Sequence, residues 1–232
     1  MEKKFGIEEV IKGRLDAMEL VEKRMEREHR DAICCFSLFI IALALWNIFV
    51  ALWADFSIPL TKKQLTVGVE ILSVLMLLYV LFRTRFRLRD MGFDTKNIGP
   101  VLLRDGIISV ACIAILAVAN LIVNKGTLVC NFKKFDFFYL LTAPLQEFLA
   151  RGFLLNCLLK IYTGRHGTAI ALLVSCFLFM SLHIYYGFTF MIGAGVLSLL
   201  LGLLFLKDRC IWGVSLIHFM IGNAWFVLGF VK

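Results

Sequence analysis

Between Thr168 and Leu206 the chain runs for 39 residues without one Asp, Glu, Lys or Arg. A helix needs about 20 apolar residues to cross the hydrocarbon core of a bilayer. The stretch is therefore too long for one crossing and right for two. Tyr185-Tyr186-Gly187 is the expected turn, because tyrosine suits the membrane interface and glycine suits a turn. Backbone amides find no water in hydrocarbon, so spanning segments are helices or closed barrels. Apolar runs this long and unbroken select helices. The same reading gives further spans at about 33–53, 64–82, 106–123, 135–159 and 210–231. The expected fold is an all-α, polytopic bundle of about seven transmembrane helices. A hydrophobic share of 60% and a mean hydropathy of +0.85 exclude an ordinary soluble domain.

Charge orients the bundle. Eighteen of the 25 Lys and Arg residues fall in 1–31, 83–105, 160–167 and 207–209, which share one side. Six fall on the other, in 55–63, in 124–134 and at Lys232; Arg151 is intramembrane. The positive-inside rule puts the first side, with the N-terminus, in the cytoplasm. The net charge of +8 sits at membrane borders, where anionic lipid explains it, so no nucleic acid is expected as a partner. Ile7, Val10, Ile11, Met18, Val21 and Met25 recur at three- and four-residue steps. They predict an amphipathic cytoplasmic helix over 1–31, on the membrane surface or against the bundle. The chain then divides into that helix, N-terminal spans over 32–134 and a core over 135–232. No eukaryotic retention or lipidation signal is present, so a bacterial plasma membrane is the default setting for this integral protein.

Within the apolar segments lie a few polar groups, and intramembrane ionisable residues usually mark a functional path. Glu147 and Arg151 stand four residues apart, one helix face with the acid first, the better order for an ion pair. Gln146 is about 100° round the helix from Glu147. Pro144, just before them, can kink the helix or free backbone groups beside the site. His183 ends the fifth span. His218 lies midway through the seventh and needs a partner. Asn223 is the nearest polar candidate, and Gly222 offers a distortion that turns it inward. A carboxylate can take a proton from water, an imidazole can share that work, and imidazole and amide groups can stabilise an oxyanion. The set therefore suits hydrolysis, although a buried ion pair and histidines that only fix packing are the simpler alternative.

Other features carry less. Glu70, an isolated acid in the second span, is read as a packing or cavity residue. Ala194, Ser198 and Gly202 form a small-residue ridge for close helix packing. The seven cysteines contain no Cys-x-x-Cys, and neither Gly-x-Ser-x-Gly nor His-Glu-x-x-His occurs. No cofactor or metal is expected; His183, His218 and Glu147 as zinc ligands form the remaining metal-dependent alternative.

Gln-Glu-x-x-x-Arg at 146–151, Phe179-x-x-x-His183, and His218 followed by Asn223 resemble the motifs of the CAAX protease and bacteriocin-processing (Abi) family of intramembrane endopeptidases. The resemblance covers roughly residues 135–231. It implies a glutamate-dependent, metal-independent peptidase whose cavity opens to the cytoplasmic side. The first acid of a Glu-Glu pair would activate water with His183, while His218 and Asn223 would hold the oxyanion. Glu147 and Arg151 would support the site. The implied partner is a membrane-associated peptide or a lipidated protein tail. Two departures stand out. The family's final His-x-x-x-Asn is stretched by one residue, and Gln146 replaces the first Glu. An amide cannot serve as a general base at neutral pH. Three explanations stay open: Glu147 takes over as base; the chain is a non-catalytic adaptor or bacteriocin self-immunity protein; or an introduced Glu-to-Gln change traps an inactive state.

Overall fold

A computed structural model describes residues 2–230, with side chains from Glu9 onward. Ile7's side chain, Val231 and Lys232 lie outside the described residues. Among those described, the chain is all-helical apart from one isolated bridge between Phe93 and Cys210. Helix α1 is Glu2–Asp55, α2 Lys62–Arg83 and α3 Ile98–Val123. A composite rod follows: α4 (Tyr139–Glu147), a π-helical segment (Phe148–Leu155) and α5 (Asn156–Ile161). Helix α6 is Gly167–Ser181, α7 Phe188–Asp208 and α8 Ile211–Val227.

Four helices are long and apolar enough to cross a membrane: α1, α2, α3 and α7. Their outward faces carry the apolar residues. Along α3, Leu103, Ile107, Val110, Ile115, Val118 and Ile122 are exposed, while Asp105, Ser109 and Asn120 are buried. This inside-out distribution belongs to a protein solvated by lipid. With four helices long and apolar enough to span, it fits an integral membrane protein.

The boundaries have local causes. A capping box starts α2: Gln64 N–H donates to Thr61 Oγ1 at 3.3 Å, and Thr61 N–H to Gln64 Oε1 at 2.8 Å. Helix α3 begins eight residues before the expected position, because Arg104 is neutralised by Asp105 and by Asp208 at 2.7 Å. The turn after α6 falls where expected, a short 3₁₀ stretch at Ile184–Tyr186 closed by Gly187 at φ 103°. Helix α6 is only 15 residues, about 22 Å long, shorter than a full hydrocarbon crossing, and His183 follows two residues after its end.

The expected amphipathic helix and the first span are one unbroken element. Val10, Ile11, Leu15, Met18, Val21 and Met25 are all exposed along it. Packing begins near Glu28, which accepts from Lys160 Nζ at 2.6 Å, while His29 Nδ1 donates to the Lys160 carbonyl at 2.7 Å. Burial pushes the Glu28 carboxyl up, but hydrogen bonds from Lys160 and Arg24 outweigh it and hold the pKa below the usual carboxylate value.

The composite rod sits at the centre. Its π segment is buried throughout, from Phe148 to Leu155. It follows Pro144 within one turn. Proline donates no amide hydrogen and displaces the carbonyl four residues back, loosening the helix where the π segment starts. Ser175 Oγ on α6 donates to the Ala150 carbonyl at 3.3 Å. Gly152 allows the 89–94 loop close: a Cβ there would meet the Met91 carbonyl oxygen at 2.8 Å.

Candidate active site

Glu147 and Arg151 form the predicted ion pair, with Arg151 Nη1 donating to Glu147 Oε1 at 2.9 Å. Both are completely buried. Arg151 Nη2 also donates to the Ser198 carbonyl at 3.0 Å and to Ser198 Oγ at 2.9 Å, and the guanidinium lies over the Phe179 ring at 4.7 Å. His218 Nδ1 donates to the same Glu147 Oε1 at 2.6 Å. A continuous chain, Ser198–Arg151–Glu147–His218, thus crosses from α7 through the rod to α8. The shared carboxylate oxygen makes each bond charge-assisted. The other oxygen, Oε2, is buried without a protein hydrogen-bond partner.

This corrects two sequence expectations. The partner of His218 is Glu147, 71 residues away, and not Asn223. Gly222 does not turn Asn223 towards His218; it makes room for Tyr139, since a Cβ would meet Tyr139 Cε1 at 2.5 Å. Tyr139 in turn packs edge-on against the His218 ring at 5.6 Å. The Asn223 amide is engaged elsewhere. Its Oδ1 accepts from Asp136 N–H at 2.7 Å, and its Nδ2 donates to the Phe219 carbonyl at 3.1 Å. It fastens the chain entering α4 to the end of α8.

Beside the buried chain lies a cavity of about 460 Å³, within the usual range for small-ligand sites. Gln146, His183 and Asn223 line it; Glu147, Arg151 and His218 stand behind the wall. Its apolar lining includes Val69, Leu149, Phe179, Leu182, Phe190 and Phe226. His183 Nδ1 donates to the Phe179 carbonyl at 2.9 Å. A carbonyl can only accept, so the ring proton sits on Nδ1 and the Nε2 lone pair is left to take a proton. Among the described residues, His183, His218 and Glu147 do not gather into a metal-ligand cluster.

Sequence reasoning gave Ser198 and Thr142 no part in the site, and read Glu70 as a packing or cavity residue without joining it to the other polar groups. Ser198 was read as a packing residue, yet it carries two of the Arg151 bonds. Thr142 and Glu70 both line the cavity, together with Gln146. Glu70's membership of a polar island was hidden because its neighbours lie far along the sequence.

The cavity lining also reaches one set of chain ends. Lys62 and Lys63 at the start of α2, Asp136 before α4, Tyr185 and Tyr186 between α6 and α7, and Phe226 at the end of α8 all line it. These chain ends lie opposite the basic segments 83–105, 160–167 and 207–209. The cavity therefore opens on the face with few positive charges, not on the basic face.

Comparison with known proteins agrees with the motifs. No curated protein and no solved structure matches the chain. Residues 133–223 match the sequence model of the family described as type II CAAX prenyl endopeptidase Rce1-like, while α1 to α3, and Glu70 with them, lie outside the match. The matched segment begins just before the rod, ends on Asn223 and contains Gln146, Glu147, Arg151, His183 and His218, so the similarity to the Rce1-like family covers the site and not the N-terminal helices.

Proposed function

We propose that the chain is an intramembrane endopeptidase that cleaves a membrane-associated peptide by activating water in the 460 Å³ cavity. The carrying observation is the arrangement of His183 on the cavity wall with the Ser198–Arg151–Glu147–His218 chain directly behind it. His183 has one nitrogen committed to Phe179 and one free to accept a proton. The buried chain fixes His218 and the rod without taking part in water chemistry, because no member of it lines the cavity. The apolar wall suits the side chains or lipid of a membrane-bound segment. With the N-terminus cytoplasmic, as the charge asymmetry favours, the mouth receives substrate from the non-cytoplasmic face. That setting favours an exported or outer-leaflet peptide over a cytosolic lipidated tail.

The test is cleavage of a fluorogenic, membrane-anchored peptide by protein reconstituted in liposomes. The chain as it stands should cleave, and His183→Ala should lower kcat by roughly 100-fold, the low end for loss of a general acid–base group, with the fold retained. If neither this chain nor Gln146→Glu cleaves while both bind the peptide, the adaptor reading, which the amide at 146 favours, replaces the peptidase one.

A further inference from the structure

Gln146 leaves the peptidase reading without a carboxylate where a water-activating base is needed. Two acids line the cavity besides: Asp136 and Glu70. Asp136 is at the mouth, where its carboxylate pairs with Lys63 at 3.1 Å and accepts from Phe138 N–H at 2.9 Å. Glu147 is completely buried, is not part of the cavity lining, and gives Oε1 to both Arg151 and His218. Glu70 is half-buried on the third turn of α2, one turn on from Thr66, and so has both a wall and access to water. Thr142 and Gln146 on α4 line the same cavity.

Resting on the peptidase reading above, we propose that Glu70 is the general base, its carboxylate supplied from α2 in place of the acid missing at position 146. In this arrangement the Gln146 amide donates to the Glu70 carboxylate and holds it. The amide at 146 then has a physical reason: a second carboxylate facing Glu70 would set like charges together, and such a pair cannot both ionise cheaply. In the reaction, a water oxygen attacks the scissile carbonyl carbon as the water proton passes to Glu70. The carbonyl π pair moves to the oxygen. On collapse the C–N bond breaks, and the leaving nitrogen takes the proton back, giving one carboxylic acid and one amine from peptide and water. His183, whose Nδ1 is engaged by the Phe179 carbonyl, lines the same cavity and offers Nε2 as a second proton acceptor.

The test compares four reconstituted proteins in the liposome assay: the unaltered chain, Glu70→Gln, Gln146→Glu and the double exchange Glu70→Gln/Gln146→Glu. Glu70→Gln should lose roughly 100-fold or more in kcat with KM within about threefold. Gln146→Glu alone should bring no gain, because it creates the carboxylate pair. The double exchange should recover activity to within about tenfold of the unaltered chain, since the carboxylate has only moved across the gap. Size-exclusion profile and melting temperature check the fold, and Glu70→Asp, which withdraws the carboxylate by one methylene, should lower kcat about tenfold on its own. Retained kcat in Glu70→Gln or Glu70→Asp, or a loss confined to KM, overturns the assignment. An inactive unaltered chain with an active Gln146→Glu overturns it while leaving the peptidase reading standing. Inactivity of all four removes both.

Discussion

Replacing Arg151 with methionine should be the most damaging single change in the molecule, and the structure sets its scale. Arg151 makes three hydrogen bonds, one to Glu147 and two to Ser198, and is wholly buried. Methionine fills much of the volume and removes every one of those bonds. Glu147 is then left with the His218 bond alone, its second oxygen already lacking a protein partner. Breaking one side of a buried ion pair costs about 3–5 kcal/mol, because the remaining charge stays in low dielectric without compensation. Glu147→Gln removes the charge and should cost less alone. In the double variant no uncompensated charge remains, so its loss should fall about 2 kcal/mol or more short of the sum of the two singles, as expected for residues in direct contact. Ser198→Ala removes only the hydroxyl and keeps the carbonyl, so it should cost about 1.5–3 kcal/mol, the range for a bond to a charged group. The assay is reversible unfolding in mixed detergent micelles, followed by tryptophan fluorescence, on all four proteins. Additive losses for Arg151→Met and Glu147→Gln would refute the reasoning, since they would mean that the two charges do not share a buried bond.

Two further outcomes follow from the packing and from the cavity mouth. Gly222→Ala places a methyl group against Tyr139 Cε1, and should lower stability by about 1–3 kcal/mol as overpacking does; a neutral or stabilising result in the same unfolding assay would show that Tyr139 is not held against α8. Cys130 is exposed on the mouth face, so in a variant that keeps it as the sole cysteine, a membrane-impermeant maleimide should label intact spheroplasts. Labelling only after lysis would reverse the orientation and put the mouth in the cytoplasm.

What could be read from the sequence was what lipid enforces locally. Span lengths follow from bilayer thickness, so the seven helical rods and the Tyr185–Gly187 turn were legible, although α3 starts eight residues early and the first span is continuous with the N-terminal helix. The Glu147–Arg151 pair was legible because four-residue spacing on a helix is a local rule. Pro144 announced a disturbed helix, though not that the chain would widen into eight π-helical residues. What escaped depended on contacts between distant segments. His218 looked towards Asn223 in the sequence, yet its carboxylate partner arrives from the rod. Ser198 looked like one step of a small-residue ridge. That reading was sound for packing, since a Cβ on Gly202 would collide with Leu172; only the meeting of α7 with the rod turned its hydroxyl and carbonyl towards Arg151. Glu70 looked isolated because Thr142 and Gln146, which line the cavity with it, come from a helix more than 70 residues on.

The two halves of the site have opposite solvent needs, and that bears on why Gln146 matters more than Glu147. The Ser198–Arg151–Glu147–His218 chain is strong only while water is kept out, since low dielectric strengthens each charge-assisted bond. A base for hydrolysis must touch water. One carboxylate cannot meet both demands, and Glu147, sealed and doubly engaged, meets the first. Neighbouring acids at 146 and 147, as in the Glu-Glu motif that this chain resembles, would place both roles on one helix about 100° apart. In this chain position 146 is an amide lining the cavity, and Glu70, a carboxylate lining the same cavity, stands on α2. The distance between base and buried chain is then set by the packing of α2 against α4, not by covalent geometry. Lys63 on α2 and Asp136 before α4 are joined at the mouth by a 3.1 Å ion pair. That exposed pair is worth little as stability, but it bridges the two elements whose separation would decide whether Glu70 reaches the reacting water.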